Sequence, residues 1–444
     1  MNDKQKPQSD ERPREDGCMN SENLEITPLM KGARIGRMTA VFLTLCFAAL
    51  MGVPIIQEIL TNPQPSLLSR SEEDFKKFGF QLTLQEVEKH LVYNSQFASM
   101  VRQPYQGFLT RSLGQGSRSV LIGKDGFLFH RTDVVSTTGL SILSEQFLKE
   151  PQSGTDIVDD LVKTILKPWK TTKPEEIPAI PSQPPVDSLT VLSDFHEKLS
   201  SRGIHLVIVI VPSKSTIYPE KMWPNYPLSA GPAWNSGYPE WRRQLIEKKV
   251  DVLDLSERFW QAKAHDQELL FLEQDSHWSP RGVAIGAEAV ADRVRGFLGK
   301  YQPIPLVVRK QTIPEPNDLV VLLGLRPEKT LFPQPPIELT QVVPANAENS
   351  ATADLGPILL FGDSLTAYYD TRNIGSKAGF AQQLMLRLNT GVQTFVGFGD
   401  DSPIAIQNAL ARRPSVLKNK KVVVLEFAMS ALYSKRFSTL FSVK

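Results

Sequence analysis

Three short runs in this chain are apolar and rich in β-branched residues almost without interruption. They are residues 204–211 (IHLVIVIV), 355–361 (LGPILLF) and 421–427 (KVVVLEF). A strand with one face in water alternates apolar and polar side chains. A strand covered on both faces does not, and such strands belong to parallel sheets flanked by helices. Amphipathic segments separate the runs. Residues 187–201 carry Leu189, Leu192, Phe195 and Leu199 at helical spacing, with Asp187 placed to cap the start and Gly203 past the end. Further helices are predicted over 238–249, 280–298, 379–388 and 403–412, and further strands over 250–255, 268–272 and 392–396. This alternation predicts an α/β fold, a doubly wound, mostly parallel sheet with flanking helices. In such folds sites lie at the carboxyl ends of the strands.

A second feature divides the chain. Residues 38–56 (MTAVFLTLCFAALMGVPII) hold no charge over nineteen positions. As a helix rising about 1.5 Å per residue they span roughly 28 Å, close to a bilayer's hydrocarbon core. Lys31, Arg34 and Arg37 precede the run and Glu58 is the first charge after it. The positive-inside asymmetry predicts one transmembrane anchor with the N-terminus in the cytoplasm. A cleaved signal peptide or a lipoprotein at Cys46 would be the other ways to use such a run. The preceding residues 1–37, with seven acidic and seven basic side chains, read as a disordered cytoplasmic tail. Residues 57–118 read as a juxtamembrane linker followed by helices such as 83–99. The outer domain is expected over 119–444, with a Pro-rich insertion at 166–186.

The two cysteines, Cys18 and Cys46, fall in the tail and the anchor, so the outer domain has no internal disulfide to rely on. A net charge of +2 points to no polyanion, and no phosphate-loop or nucleic-acid motif is present. Residues 119–129 (SVLIGKDGFLF) predict two short strands about the Gly123–Gly126 turn.

Two segments carry chemistry. Phe361-Gly362-Asp363-Ser364 follows a buried strand and would present Ser364 at its end. Asp275-Ser276-His277-Trp278-Ser279-Pro280 precedes a helix that Ser279 would cap and Pro280 would begin. A carboxylate two residues before a histidine can bond Nδ1–H and leave Nε2 as a base. Taken alone, the first is an ordinary loop turn and the second a capping aspartate beside a partly buried histidine. Together they supply nucleophile, base and orienter. No His, Cys or acidic cluster has metal-ligand spacing, and no cofactor is called for.

In order along the chain stand Gly123-Lys124-Asp125-Gly126-Phe127-Leu128-Phe129, Val211-Pro212-Ser213-Lys214-Ser215-Thr216-Ile217-Tyr218-Pro219, Asp275-Ser276-His277-Trp278-Ser279-Pro280, Asn317-Asp318-Leu319, Phe361-Gly362-Asp363-Ser364 and Val424-Leu425-Glu426-Phe427. With these pieces the chain resembles the SGNH hydrolase-like proteins of bacterial exopolysaccharide O-acetylation, the AlgX and AlgJ type. The resemblance departs at Leu365, where that family usually has an aromatic, at Ala428-Met429-Ser430, and at the turn Gly397-Phe398-Gly399-Asp400-Asp401.

The resemblance implies an SGNH fold and a serine acyl-enzyme mechanism, with Ser364 as nucleophile, His277 as base and Asp275 as its orienter. It implies a membrane-anchored periplasmic O-acetyltransferase at a bacterial inner membrane. The acceptor would be an exopolysaccharide, and a multi-pass membrane acyltransferase would supply acetyl groups. A carbohydrate acetylesterase with the same triad and a non-catalytic polysaccharide-binding or export scaffold are the alternative readings. The Ser364 amide is the first expected oxyanion donor, with Gly399 in the 397–399 turn as the second. Lys214 and Tyr218, in the loop after a parallel strand, are candidate substrate-binding residues.

Overall fold

The computed structural model describes residues 96–145, 188–266, 268–325, 335–345, 356–370, 376–397 and 414–433, with a few isolated positions elsewhere. The tail over 1–37, most of 38–56, all but the last four residues of the helix expected at 83–99, the Pro-rich 166–186 and most of the helix expected at 403–412 lie outside the described residues. Among the described residues no helix is long and apolar enough to cross a membrane. Contacts divide the chain into Met1–Met100, of which few positions are described, and Val101–Lys444, which holds every described strand.

The helix α1 (Gln96–Leu113) leads to an antiparallel pair, β1 (Val120–Ile122) and β2 (Leu128–His130), joined at the predicted turn. Asp125 and Gly126 both take positive φ there, 55° and 83°, which is why Asp-Gly suits the turn. The helices that matter for the site are α2 (Arg131–Thr138), α3 (Ser188–Ser200), α4 (Tyr238–Glu247), α5 (Ser256–His265), α6 (Pro280–Val294), α7 (Ser364–Ala367) and α8 (Phe380–Leu388).

Five strands form the central sheet: β3 (His205–Val211), β4 (Asp251–Asp254), β7 (Ile358–Gly362), β8 (Val392–Val396) and β9 (Val422–Ala428). Their spatial order is β4-β3-β9-β7-β8, and every pairing is parallel. The last strand in sequence therefore lies at the centre, between β3 and β7. Successive side chains on β3 explain its unbroken apolar run. Val207, Val209 and Val211 face a layer built on α6 and α8, where Val290 and Phe380 are fully buried. Leu206, Ile208 and Ile210 face a layer built on α3 and α4, where Phe195 and Leu245 are fully buried. Parallel register levels the carboxyl ends: Val211 stands opposite Ala428, and Phe361 opposite Leu425.

The structure corrects one predicted strand. Residues 268–272 form no strand; Phe271 makes a single bridge to Trp278. Ser279 N donates to Leu270 O and Leu272 N to His277 O, closing 270–279 into a loop. The apolar run is there because Leu270, Phe271 and Leu272 plug the core at the loop's base. An antiparallel ribbon, β5 (Leu306–Pro314) with β6 (Pro336–Pro344), was not predicted. Its first strand is largely exposed and carries Arg309, Lys310 and Gln311 at its middle, so it lacks the apolar signature.

Replacing Ile208 by alanine leaves a cavity at the sheet's centre and is expected to cost about 3 kcal/mol. Urea unfolding monitored by circular dichroism would register this as a lower midpoint with an unchanged slope.

Candidate active site

At the end of β7 the chain turns directly into α7. Asp363 caps the helix, accepting from Leu365 N at 2.8 Å through Oδ1, while Oδ2 accepts from Ala428 N at 2.9 Å. Ser364 is thereby the first residue of a helix held down on both sides. Beneath it, Glu426 of β9 accepts from Thr366 Oγ1 at 2.6 Å and from Asp363 N at 3.3 Å. A Cβ on Gly362 would lie 2.2 Å from Thr366 Oγ1 and 2.9 Å from Glu426 Oε2. The glycine is thus required by close approach, not by an unusual φ. Burial pushes the Glu426 carboxyl well above its ordinary value and raises that of Asp363.

The second segment is organised around Asp275, which is fully buried. Its Oδ1 accepts from His277 Nδ1 at 2.8 Å and from His277 N at 3.0 Å. Its Oδ2 accepts from Asp318 N at 2.9 Å and from the Tyr368 hydroxyl. Burial alone would raise this carboxyl, but the bond and charge of His277 prevail and hold it at about 2. An ionised carboxylate only accepts, so Nδ1 carries its hydrogen and Nε2 is the nitrogen left for chemistry. Burial opposes a charged imidazole, yet Asp275 beside it raises His277 overall. The Tyr368 ring stacks on the imidazole at 3.6 Å between centroids and 10° between planes.

Asp318 completes this arrangement. Its Oδ1 accepts from Ser276 N at 2.7 Å, and its carboxylate also takes the Ser276 hydroxyl. Burial, then the Asp275 charge, lifts Asp318 to about 6. One ligand atom from each of Asp275, His277 and Asp318 lies within 4.8 Å of the others, a spacing compatible with a metal. The oxygens of both carboxylates already accept protein N–H and O–H groups, so the cluster is satisfied as a hydrogen-bonded network.

Two braces hold the segments against each other. Trp278 Nε1 donates to Leu365 O at 3.0 Å, and the Tyr369 hydroxyl donates to Trp278 O at 2.9 Å. Ser364 and His277 consequently line one cleft of about 270 Å³ with Asp133, Asp363 and Ser430. It opens at the carboxyl ends of β3, β7 and β9.

Other expected residues have different surroundings. Lys214 reaches the cleft wall, but its ammonium is directed away, donating to Leu128 O at 2.6 Å and to Glu273 O and Asp275 O at 2.9 Å each. Burial pulls it down to about 8 against the charges of Asp275 and Asp318. Tyr218 does not line the cleft. It is buried against Phe127, and its hydroxyl accepts from Leu270 N at 2.9 Å. In the glycine turn, Gly397 N is already spent on Gly362 O at 3.0 Å, and Gly399 lies outside the described residues. Tyr368, Asp318 as a partner of Ser276, and Asp133 were not picked out as site residues from sequence. Tyr368 had one available signal, four residues beyond Ser364 at helical spacing.

Residues 174–429, more than half of the chain, match the family described as SGNH hydrolase-like domain, acetyltransferase AlgX. The chain belongs to this family. A probable alginate O-acetylase AlgJ from Pseudomonas putida is 30% identical over 190 residues, covering 41% of this chain and 48% of that protein. A probable alginate O-acetylase AlgJ from Azotobacter vinelandii is 29% identical over 198 residues, covering 43% and 50%. The chain thus spans about half the length of the curated relatives it matches. Against the O-acetyltransferase domain of Pseudomonas putida AlgJ the TM-score is 0.47 at 22% identity, over 71% of this chain and 92% of that one.

Within this AlgX-family site, an imidazole oriented through Nδ1 can take a proton at Nε2 from a group in the cleft. It does so only when neutral. Because Asp275 raises His277 above the ordinary 6.5, serine-dependent ester cleavage is expected to rise with pH, with a midpoint above 6.5. Asp275→Asn removes the charge that raises it. The limb should then move to lower pH while the plateau rate falls by about a thousandfold or more, both read from a pH–rate profile.

Proposed function

We propose that this chain is an O-acetyltransferase of a secreted polysaccharide, working outside the bacterial inner membrane through a serine acyl-enzyme. The observation that carries the reading is the convergence, in one cleft at the strand ends, of Ser364 with an imidazole whose Nδ1 is held by a buried, ionised carboxylate.

Ser364 Oγ attacks the carbonyl of an acetyl donor as His277 Nε2 takes its proton, and the donor's alcohol leaves with that proton. A sugar hydroxyl then attacks the acetyl-serine, His277 again relays the proton, and free Ser364 is restored. Asp275 keeps the imidazole in the required tautomer and stabilises it when charged. The Ser364 amide, at the start of α7, is the expected oxyanion donor.

Residues 38–56 serve as the anchor, with the N-terminus in the cytoplasm and the catalytic domain in the periplasm. The uncharged run and the basic residues before it support that orientation. A multi-pass membrane acyltransferase is the proposed source of acetyl groups. An exopolysaccharide is the proposed acceptor, in keeping with the names of the AlgJ relatives.

A chromogenic acetyl ester tests the first half-reaction. Wild-type protein is expected to release the chromophore and to carry an acetyl group on the Ser364 peptide in mass spectrometry. Ser364→Ala should lose at least about a thousandfold in rate and all of the adduct. Release that persists in Ser364→Ala removes the serine from the mechanism.

A further inference from the structure

The cleft contains a carboxyl that the chemistry above does not use. Asp133 stands on α2, immediately after the antiparallel β1–β2 pair, and lines the cleft together with Ser364 and His277. Hydrogen-bond accounting sets it apart from the other acids there. Asp275 accepts four donors, and Asp363 is spent on the amides of Leu365 and Ala428. Asp133 binds through its backbone carbonyl to Ser136, Thr137 and Ser215. Its carboxyl forms no ion pair among the described residues; the Ser430 hydroxyl bonds it, and His130, Lys214 and His277 act on it only by their charge.

We propose that Asp133, with Ser430 beside it, forms the acceptor subsite of this cleft and takes hydroxyl groups of an uncharged sugar ring. A carboxyl with open lone pairs, partly withdrawn from water, gains more from a hydroxyl donor than an exposed one does. The proposal rests on the acyl-transfer reading and adds the class of acceptor. The same wall disfavours a uronate. A carboxylate brought beside Asp133 either meets a like charge or obliges Asp133 to hold a proton. No guanidinium stands among the described lining residues, and the one ammonium, Lys214, is tied to three carbonyls. His130 and His277 are the remaining nitrogen bases of the described lining, and His277 is bonded to Asp275.

In the transfer step the sugar O–H bond breaks, its oxygen bonds to the acetyl carbon, the Ser364 Oγ–acetyl bond breaks, and the proton passes by way of His277 to Oγ. Asp133 holds a neighbouring hydroxyl and orients the ring, which makes it a specificity residue. Its signature belongs in the acceptor's KM.

The test uses the full chain in detergent with a chromogenic acetyl ester as donor. Two acceptors are compared at equal concentration, an uncharged glucose oligosaccharide and an alginate-type oligosaccharide bearing one carboxylate per unit. Product is read by mass spectrometry. Wild type is expected to acetylate the uncharged oligosaccharide at least tenfold faster. Asp133→Asn should raise the KM for that acceptor about tenfold, a larger change than in the KM for the ester. Ser430→Arg, which brings a guanidinium beside Asp133, should raise transfer to the uronate several-fold.

Equal or faster transfer to the uronate by wild type would overturn the subsite. So would acetyl release without transfer to the uncharged oligosaccharide, or an acceptor KM indifferent to Asp133→Asn and Ser430→Arg. In each of these outcomes Ser364-dependent release of the chromophore remains, so the acyl-enzyme stands. Absence of that release from wild type would overturn the acyl-transfer reading and the subsite with it.

Discussion

A single buried carboxylate organises the site. Ionised Asp275 lies out of reach of water, a position that costs several kcal/mol unless its lone pairs and charge are matched. They are matched by pieces from separate parts of the chain: the imidazole and amide of His277, the amide of Asp318 and the hydroxyl of Tyr368. Lys214 adds a positive charge nearby, anchored on the backbone carbonyl of Asp275 itself. Each partner is consequently held as firmly as it holds the acid. Tyr368 illustrates this. Its hydroxyl is fixed on Asp275, so its ring must lie flat on the imidazole. The histidine can then neither flip nor rotate without breaking a bond to a buried charge.

The acid beneath the serine follows the opposite rule. Glu426 also lies fully buried, but it receives only Thr366 and a long bond from Asp363 N, and its Oε1 has no partner among the described residues. Burial first, and then the Asp363 carboxyl beside it, push it up toward the neutral form. Beside His277 a buried carboxylate is held low, and beneath Ser364 a buried carboxyl is pushed up toward its protonated form. Donor count and surroundings separate the two.

The layered α/β architecture was legible because unbroken apolar strands are a strong signal, and β3, β7 and β9 follow from it directly. Ser279 as cap and Pro280 as first residue of α6 were legible as well, since capping is local chemistry. Residues 268–272 misled for a physical reason: an apolar pentapeptide marks burial, and a loop plug is buried as deeply as a strand. Tyr218 misled in a related way, whereas Lys214 lines the cleft as its position suggested but turns its ammonium to backbone carbonyls. Their place after β3 does lie near the cleft, but which way a side chain turns depends on partners contributed by β2 and the loop 270–275, distant in sequence. The roles of Asp318 and Tyr368 were hidden for the same reason, because each is defined by a bond to Asp275 across some 40 to 90 residues.

Topology explains why such distant partners meet. Parallel register brings the ends of β3, β9 and β7 to one level, with the last strand in the middle. Ala428 at the end of β9 donates to Asp363 after β7, so closing the sheet's centre is the step that seats the serine turn. Trp278 then carries that position across to the histidine loop through Leu365. The loop 270–279 is anchored at its base by Tyr218 and at its tip by Lys214 and Asp318. His277 and Ser364 are thus each referenced to the sheet by short chains of buried bonds. A site assembled from loops is in this way tied to the rigid part of the fold.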